Sequence, residues 1–202
     1  MYSDDAHDAS PSPAAAGLTN RGSLYSGYKA LMKNYVGLNG ASSPQDKLFA
    51  CPADVFNPSL FFDKSIQPPH LIQKSIHDES FSDYSSYIFN GGDSMTRTFT
   101  NGASTTNITL TFPGLSNVRL SAVRHPSRTL MVVEFPVLFP YSWHDPSSHG
   151  AADKKFGMFY NGSKNVVSFV DGHVSYIKMD GLNVREMVNP SANGYDYQWS
   201  PD

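Results

Sequence analysis

The chain has 202 residues, a formal net charge of −3 and 40% hydrophobic residues, enough for one domain with a sizeable core. This charge balance, without a cluster of Lys and Arg, excludes a broad phosphate-binding surface, so we expect no nucleic acid as a partner. The single cysteine, Cys51, excludes an internal disulfide, and no apolar run reaches the roughly 18–20 residues of a membrane helix.

The first predicted element is a helix. Residues 1–22, rich in Ser, Pro, Ala and Asp, predict an extended lead-in, and residues 23–202 predict a single globular domain. Hydrophobic residues then recur at helical spacing, at Leu24, Tyr28, Leu31 and Tyr35. This pattern predicts one amphipathic helix at about 24–36, with Gly37 as its stop.

Several short strands follow the helix. The abundance of aromatic residues, proline and glycine favours short strands and many turns. The predicted strands span 47–54, 84–92, 106–112 and 128–135, and a long loop covers 136–157. The predicted class is α+β, with the helix packed on an antiparallel sheet that includes 106–112, 128–135 and a hairpin at 166–177.

The hairpin is predicted from the segment NVVSFVDGHVSYIK, residues 165–178. Asp171 and Gly172 are interpreted as a two-residue loop, because Asp-Gly is a favoured pair for a type I′ turn. This register pairs Ser168 with Ser175 and places His173 on the polar face. The apolar face would consist of Val167, Phe169, Val174 and Tyr176.

Six blocks occur in order along the chain: YSDDAHD (2–8), YKALMKNYVGLNG (28–40), LFACPAD (48–54), SSYIFNGG (85–92), VRHPSRTLMVVE (123–134) and NGSKNVVSFVDGHVSYIK (161–178). Together they resemble the soluble part of pilin-like proteins with a prepilin-type processing-associated H-X9-DG domain, which are similar to type II secretion pseudopilins. The resemblance implies a pilin-like fold and a preceding apolar helix that the given sequence lacks. Asn161 stands where the family has its histidine, so the resemblance assigns that position no ligand role in this chain.

The resemblance implies a structural protein. The expected function is that of a pseudopilin or minor-pilin-like subunit, anchored in the inner membrane by the preceding helix. It would assemble with itself or with other pilin-like subunits into a periplasmic or cell-surface fibre for secretion or adhesion. We expect no enzyme, because the sequence contains no Gly-x-Ser-x-Gly elbow, Walker loop or dinucleotide fingerprint.

The alternative function is a secreted or cell-surface binding module. Exposed aromatic side chains offer large, rigid contact area for glycans or for another protein. The candidates for such a surface are Tyr141, Trp143, Tyr195, Tyr197 and Trp199.

A metal site is the remaining candidate. The densest polar cluster consists of His144, Asp145, His149 and Asp153, and its carboxylates would suit calcium. A solvated loop explains the same composition, so no cofactor is expected and calcium is the alternative. Cys51 is interpreted as a small buried hydrophobic residue at a strand end. Glu134, in an apolar strand, is interpreted as the acidic partner of an arginine.

Overall fold

The computed structural model describes residues 7–11, 24–25, 28–55, 74–91, 93–101, 104–112, 114–138, 142–145, 161–180 and 196–202. In chain order the elements are β1 (Leu24–Tyr25), α1 (Tyr28–Met32), β2 (Tyr87–Asn90), β3 (Asp93–Asn101), β4 (Ser104–Phe112), β5 (Leu130–Glu134), β6 (Asn161–Phe169) and β7 (Val174–Asp180). Short 3₁₀ helices lie at Lys33–Val36, Lys47–Phe49, Ile76–Asp78, Ser80–Ser82, Leu120–Ala122 and Phe135–Leu138. None of the helices in these ranges has the length and apolar character needed to cross a bilayer.

The main sheet has five strands in the order β1-β2-β5-β6-β7, and every neighbouring pair is antiparallel. This arrangement confirms the predicted α+β class with an antiparallel sheet. The predicted strand at 106–112 exists within β4, but its place in the main sheet was wrong. β4 pairs along its full length with β3, from Asp93 opposite Phe112 to Asn101 opposite Ser104, and the two form a separate sheet.

Two hydrophobic clusters cover the two faces of the main sheet. On β2 the neighbours Ile88 and Phe89 belong to different clusters, as expected because successive strand residues point to opposite faces. Tyr28 of α1 packs on the Phe89 side, with ring centroids 6.1 Å apart. Tyr197 and Trp199 pack on the Ile88 side. Coverage on both faces explains why the central strand β5 has a nearly continuous apolar sequence.

The helix is shorter than predicted. α1 covers only Tyr28–Met32 and continues as the 3₁₀ helix Lys33–Val36, which ends at Gly37 with φ at 76°. The predicted stop at Gly37 is therefore confirmed. Leu24 and Tyr25, predicted to be helical, pair with β2 instead, because the sheet edge offers them backbone partners. The predicted strand at 47–54 was also wrong, since Lys47–Phe49 is a 3₁₀ helix.

The hairpin exists, but its loop differs from the prediction. The Gly172 N–H donates to the Phe169 carbonyl at 3.0 Å, and the Phe169 N–H donates to the His173 carbonyl at 3.0 Å. The loop therefore has three residues, Val170 to Gly172, and Gly172 supplies the positive φ of 91° that such loops require. Ser168 consequently faces Val174 rather than Ser175.

This one-residue shift in register reverses the predicted faces of β7. Val167 and Phe169 are buried as predicted. Val174 and Tyr176, predicted to be core residues, are 64% and 42% exposed. His173, predicted on the opposite face, stacks on the Phe169 ring with 4.1 Å between centroids.

Part of the predicted lead-in docks onto the domain. Ala9 forms an isolated antiparallel bridge with Arg119. Ser10 is buried, and its backbone N–H donates to the Val118 carbonyl at 2.9 Å. At residues 7–11 the chain therefore belongs to the folded unit.

Candidate functional site

Three side chains from distant parts of the chain meet at one end of β5. Glu134 is the last residue of β5, Cys51 follows the 3₁₀ helix Lys47–Phe49, and His144 lies in the described stretch 142–145. The His144 Nε2 lies 2.7 Å from the Glu134 Oε1 and 3.5 Å from the Cys51 Sγ. The thiol donates to the same carboxylate oxygen at 3.3 Å. We call these three residues the Cys-Glu-His cluster.

Asp54 positions the chain around Cys51. Its carboxylate accepts the backbone N–H groups of Ile76 and His77, each at 2.9 Å, and the Ser86 hydroxyl at 2.7 Å. The Ser86 Oγ in turn accepts the Cys51 N–H at 2.9 Å. Because Asp54 is buried and these partners are protein groups, the hydrogen bonds hold the Cys51 loop against the start of β2.

The pairing of β5 with β2 places Glu134 in the cluster. It pairs with Tyr87 across β2 and β5, its side chain is 1% exposed, and its Oε2 accepts the Val166 N–H at 2.8 Å. A buried carboxylate must have hydrogen-bond partners, and here they are an imidazole, a thiol and a backbone N–H. These partners replace the arginine that the sequence suggested.

The environment keeps the Cys51 thiol protonated. Burial raises its pKa to about 11, and the charge of Glu134 acts in the same direction against a hydrogen bond from the Ala53 backbone. A catalytic Cys-His-acid relay uses one imidazole nitrogen for the nucleophile and the other for the acid. Here the single Nε2 of His144 faces both Cys51 and Glu134. The three side chains therefore converge on one common position and are not arranged in series as a catalytic relay is.

The four residues predicted as calcium ligands are only partly described. His144 turns toward Cys51 and Glu134. The Asp145 backbone N–H bonds to the Ser142 hydroxyl at 3.1 Å. His149 and Asp153 lie outside the described residues. Spacing along the sequence did not predict that Cys51 and Glu134 lie beside His144. The signal in the sequence was Glu134 itself, a carboxylate in an apolar strand.

The predicted aromatic binding surface is largely internal. Trp143, Tyr197 and Trp199 are buried, with 3%, 4% and 6% of their surface exposed, so their assignment to an exposed surface was wrong. Each is a large aromatic side chain, and packing it in the core stabilises the fold more than leaving it exposed to water. Tyr141 and Tyr195 lie outside the described residues.

The family-motif positions do not converge. Asn161 opens β6 opposite Asp180, whereas Asp171 and Gly172 lie beyond its other end. An extended strand of this length separates the two positions by roughly 25 Å. The His173 Nδ1 lies 2.6 Å from the Asp171 Oδ1 in an exposed pair, and this hydrogen bond lowers the pKa of Asp171. The motif therefore shapes a hairpin and does not form a joint site.

A second buried polar cluster joins α1 to the following loop. Lys29 and Lys33 are buried and share one acceptor, the Asp46 Oδ2, at 3.1 and 2.9 Å. Burial alone would raise the pKa of Asp46, but hydrogen bonds from Lys33, the Ser43 backbone and Lys29 lower it to about 2. Burial lowers the pKa of Lys29. All of these groups are satisfied within the protein, so the cluster is structural.

Comparison of the chain with models of known protein families, with curated proteins and with solved structures gave no match.

Proposed function

We propose that the protein is a structural, pilin-like subunit that acts by assembling with copies of itself or with related subunits, without catalytic turnover. Four of the blocks that carry the family resemblance contain α1, β2, β5 and the β6-β7 hairpin. These elements make up the helix and most of the main sheet. The resemblance therefore covers the residues that build the fold, which supports the proposal.

The observation that carries the proposal is the outer edge of the main sheet. β7 is its last strand in the described part of the chain, and it exposes Val174 and Tyr176 on one face. An edge strand with exposed apolar side chains is a template for pairing with another chain. A subunit of a fibre would cover this exposed apolar surface on assembly.

The proposed location follows from the same role. A pilin-like subunit would be anchored in the inner membrane by an apolar helix ahead of the present chain, and its globular domain would lie in the periplasm or at the cell surface. The alternative, a binding module for glycans or protein, has less support because Trp143, Tyr197 and Trp199 are buried.

Cross-linking in the native cell tests the proposal. The Val174→Cys variant places a thiol on the exposed edge, whereas the only native cysteine, Cys51, is buried. A thiol-specific bifunctional reagent should convert this variant into dimers and higher species. Lys74→Cys, at an exposed position outside β7, is the matched control and should cross-link much less.

Two outcomes would count against assembly through β7. One is a Val174→Cys protein that stays monomeric in cells at native expression. The other is equal cross-linking at both positions, which would indicate random collision. As a second check, Val174→Asp should abolish the cross-linked species formed through Tyr176→Cys, because a charge disfavours edge pairing.

A further inference from the structure

We propose that Cys51, Glu134 and His144 form a binding site for a zinc-class divalent cation with one coordination position open to solvent. The three ligand atoms come from three chain segments and lie within 4.8 Å of one another. The inference concerns a site that the assembly role does not require, and it can be tested separately.

Two of the three distances between the ligand atoms are close to those of a tetrahedral face. Bond lengths of about 2.3 Å for sulfur and about 2.0–2.2 Å for nitrogen and oxygen give ligand separations of roughly 3.4–3.6 Å. The cluster has 3.5 Å between Cys51 Sγ and His144 Nε2, and 3.3 Å between Cys51 Sγ and Glu134 Oε1. The third separation, between His144 Nε2 and Glu134 Oε1, is 2.7 Å, a hydrogen-bond length. A cation that replaced the shared proton would widen it by roughly 0.7 Å.

The charge balance of the cluster favours a cation. Glu134 is fully buried, and its described hydrogen bonds go to His144, Cys51 and the Val166 backbone, none of which is a Lys or Arg side chain. Burying a carboxylate is costly unless it is paired with hydrogen-bonding or charged partners or coordinates a metal. A divalent ion would balance the carboxylate together with a thiolate.

The donor set selects the kind of ion. A thiolate and an imidazole suit zinc and cobalt, whereas calcium and magnesium prefer oxygen ligands alone. Three protein ligands leave a fourth position for water, as in open zinc sites. The His144 side chain is 35% exposed, which provides a route for the ion from solvent and room for the ring to move.

The surroundings supply supporting hydrogen bonds of the kind that orient metal ligands. The Ser86 hydroxyl oxygen accepts the Cys51 backbone N–H at 2.9 Å and so fixes the residue that carries the thiol. The Val166 N–H holds the carboxylate oxygen that faces away from the cluster. Outer partners of this kind fix the ligands in position and tune the affinity for the metal.

Cobalt is the probe for the test. Full-length protein treated with a chelator and then desalted is titrated with Co²⁺ while thiolate-to-cobalt charge-transfer absorption is recorded. We expect one equivalent to bind and Zn²⁺ to abolish the band by displacement. Because Cys51 is the only cysteine, bound metal should also slow its alkylation by iodoacetamide. At 100-fold excess of free metal over Kd, the midpoint of thermal unfolding should rise by about 5–10 °C.

Variants assign the ligands. Cys51→Ser should remove the charge-transfer band, and His144→Gln should weaken binding at least tenfold. His144 is partly exposed, so its variant can be tested even if the Cys51 variant does not fold. His173→Gln is the matched control, because His173 also contacts a carboxylate but has no thiol beside it. It should bind cobalt as the wild type does.

Three results would overturn the site. The first is failure of the wild type to bind a stoichiometric ion. The second is binding without the charge-transfer band. The third is affinity that stays the same in His144→Gln. Each would leave Glu134 and His144 as a hydrogen-bonded pair beside the Cys51 thiol.

Discussion

Replacing Asp46 with asparagine should test the buried charge cluster that Asp46 forms with Lys29 and Lys33. One oxygen, the Asp46 Oδ2, accepts the ammonium groups of Lys33 and Lys29 at 2.9 and 3.1 Å and the Ser43 N–H at 3.1 Å. Lys29 is 0% exposed and Lys33 is 3% exposed. The Asp46→Asn variant keeps the shape of the side chain but removes the carboxylate charge that both buried ammonium groups contact.

The expected loss of stability follows from this arrangement of charges. Removing one partner of a buried ion pair costs about 3–5 kcal/mol, because the remaining charge stays buried. Carbonyl acceptors remain, since Lys29 also bonds to the carbonyls of Asp83 and Tyr84 and Lys33 bonds to that of Ala41. We therefore expect the free energy of unfolding to fall by about 3 kcal/mol, which corresponds to a fall of roughly 6–12 °C in the midpoint of thermal unfolding.

Guanidinium unfolding followed by circular dichroism measures the free energy of unfolding. The Asp171→Asn variant is the matched control, because it removes an exposed carboxylate that is hydrogen-bonded to His173. This control should unfold at the wild-type midpoint within experimental error. A loss below about 1 kcal/mol in Asp46→Asn would refute the reasoning, because it would fall in the range of an exposed ion pair.

Three further predictions follow from the described residues. Because the pKa of Asp46 is about 2 in the folded state against its usual 3.8, its stabilisation should be complete above about pH 4. The difference between wild type and Asp46→Asn in guanidinium unfolding should then shrink as the pH falls through 2, and a constant difference would contradict the assignment. Gly172→Ala should cost about 1–2 kcal/mol in the same assay, because φ is 91° there and no atom lies within 4 Å of an added Cβ, so the cost is conformational; an unchanged midpoint would contradict the three-residue loop. Trp199→Ala should lower stability by about 3–5 kcal/mol in thermal unfolding, as expected for a buried tryptophan and not for a surface one.

Local patterns predicted much of the strand content. The apolar run around Val133 predicted a strand covered on both faces, and β5 has residues of both core clusters on either side. The Gly37 stop and the bend at Gly172 were also predicted, because both depend on a positive φ that glycine adopts at little cost. These features depend on residues close to one another in the chain.

The register of strand pairing in the β6-β7 hairpin could not be predicted from local sequence patterns. Asp-Gly serves either a two-residue loop or the end of a three-residue loop, and the two differ by one residue in pairing. The structure has the three-residue loop, and with this pairing Phe169 packs in the core and His173 stacks on its ring. Likewise, Leu24 has a helical spacing to Tyr28, yet pairing with β2 outweighed this local preference.

By itself, the sequence determined the α+β class, the central strands and the glycine turns, because these follow from side-chain periodicity and backbone sterics over a few residues. Only the tertiary structure decided that β4 leaves the main sheet and that Cys51, Glu134 and His144 meet. Cys51 lies 83 residues from Glu134 and 93 from His144 along the chain, and spacing of that length carries no distance information. The contact arises because the strand pairing of Tyr87 with Glu134 and the hydrogen bond from Cys51 to Ser86 bring the segments together.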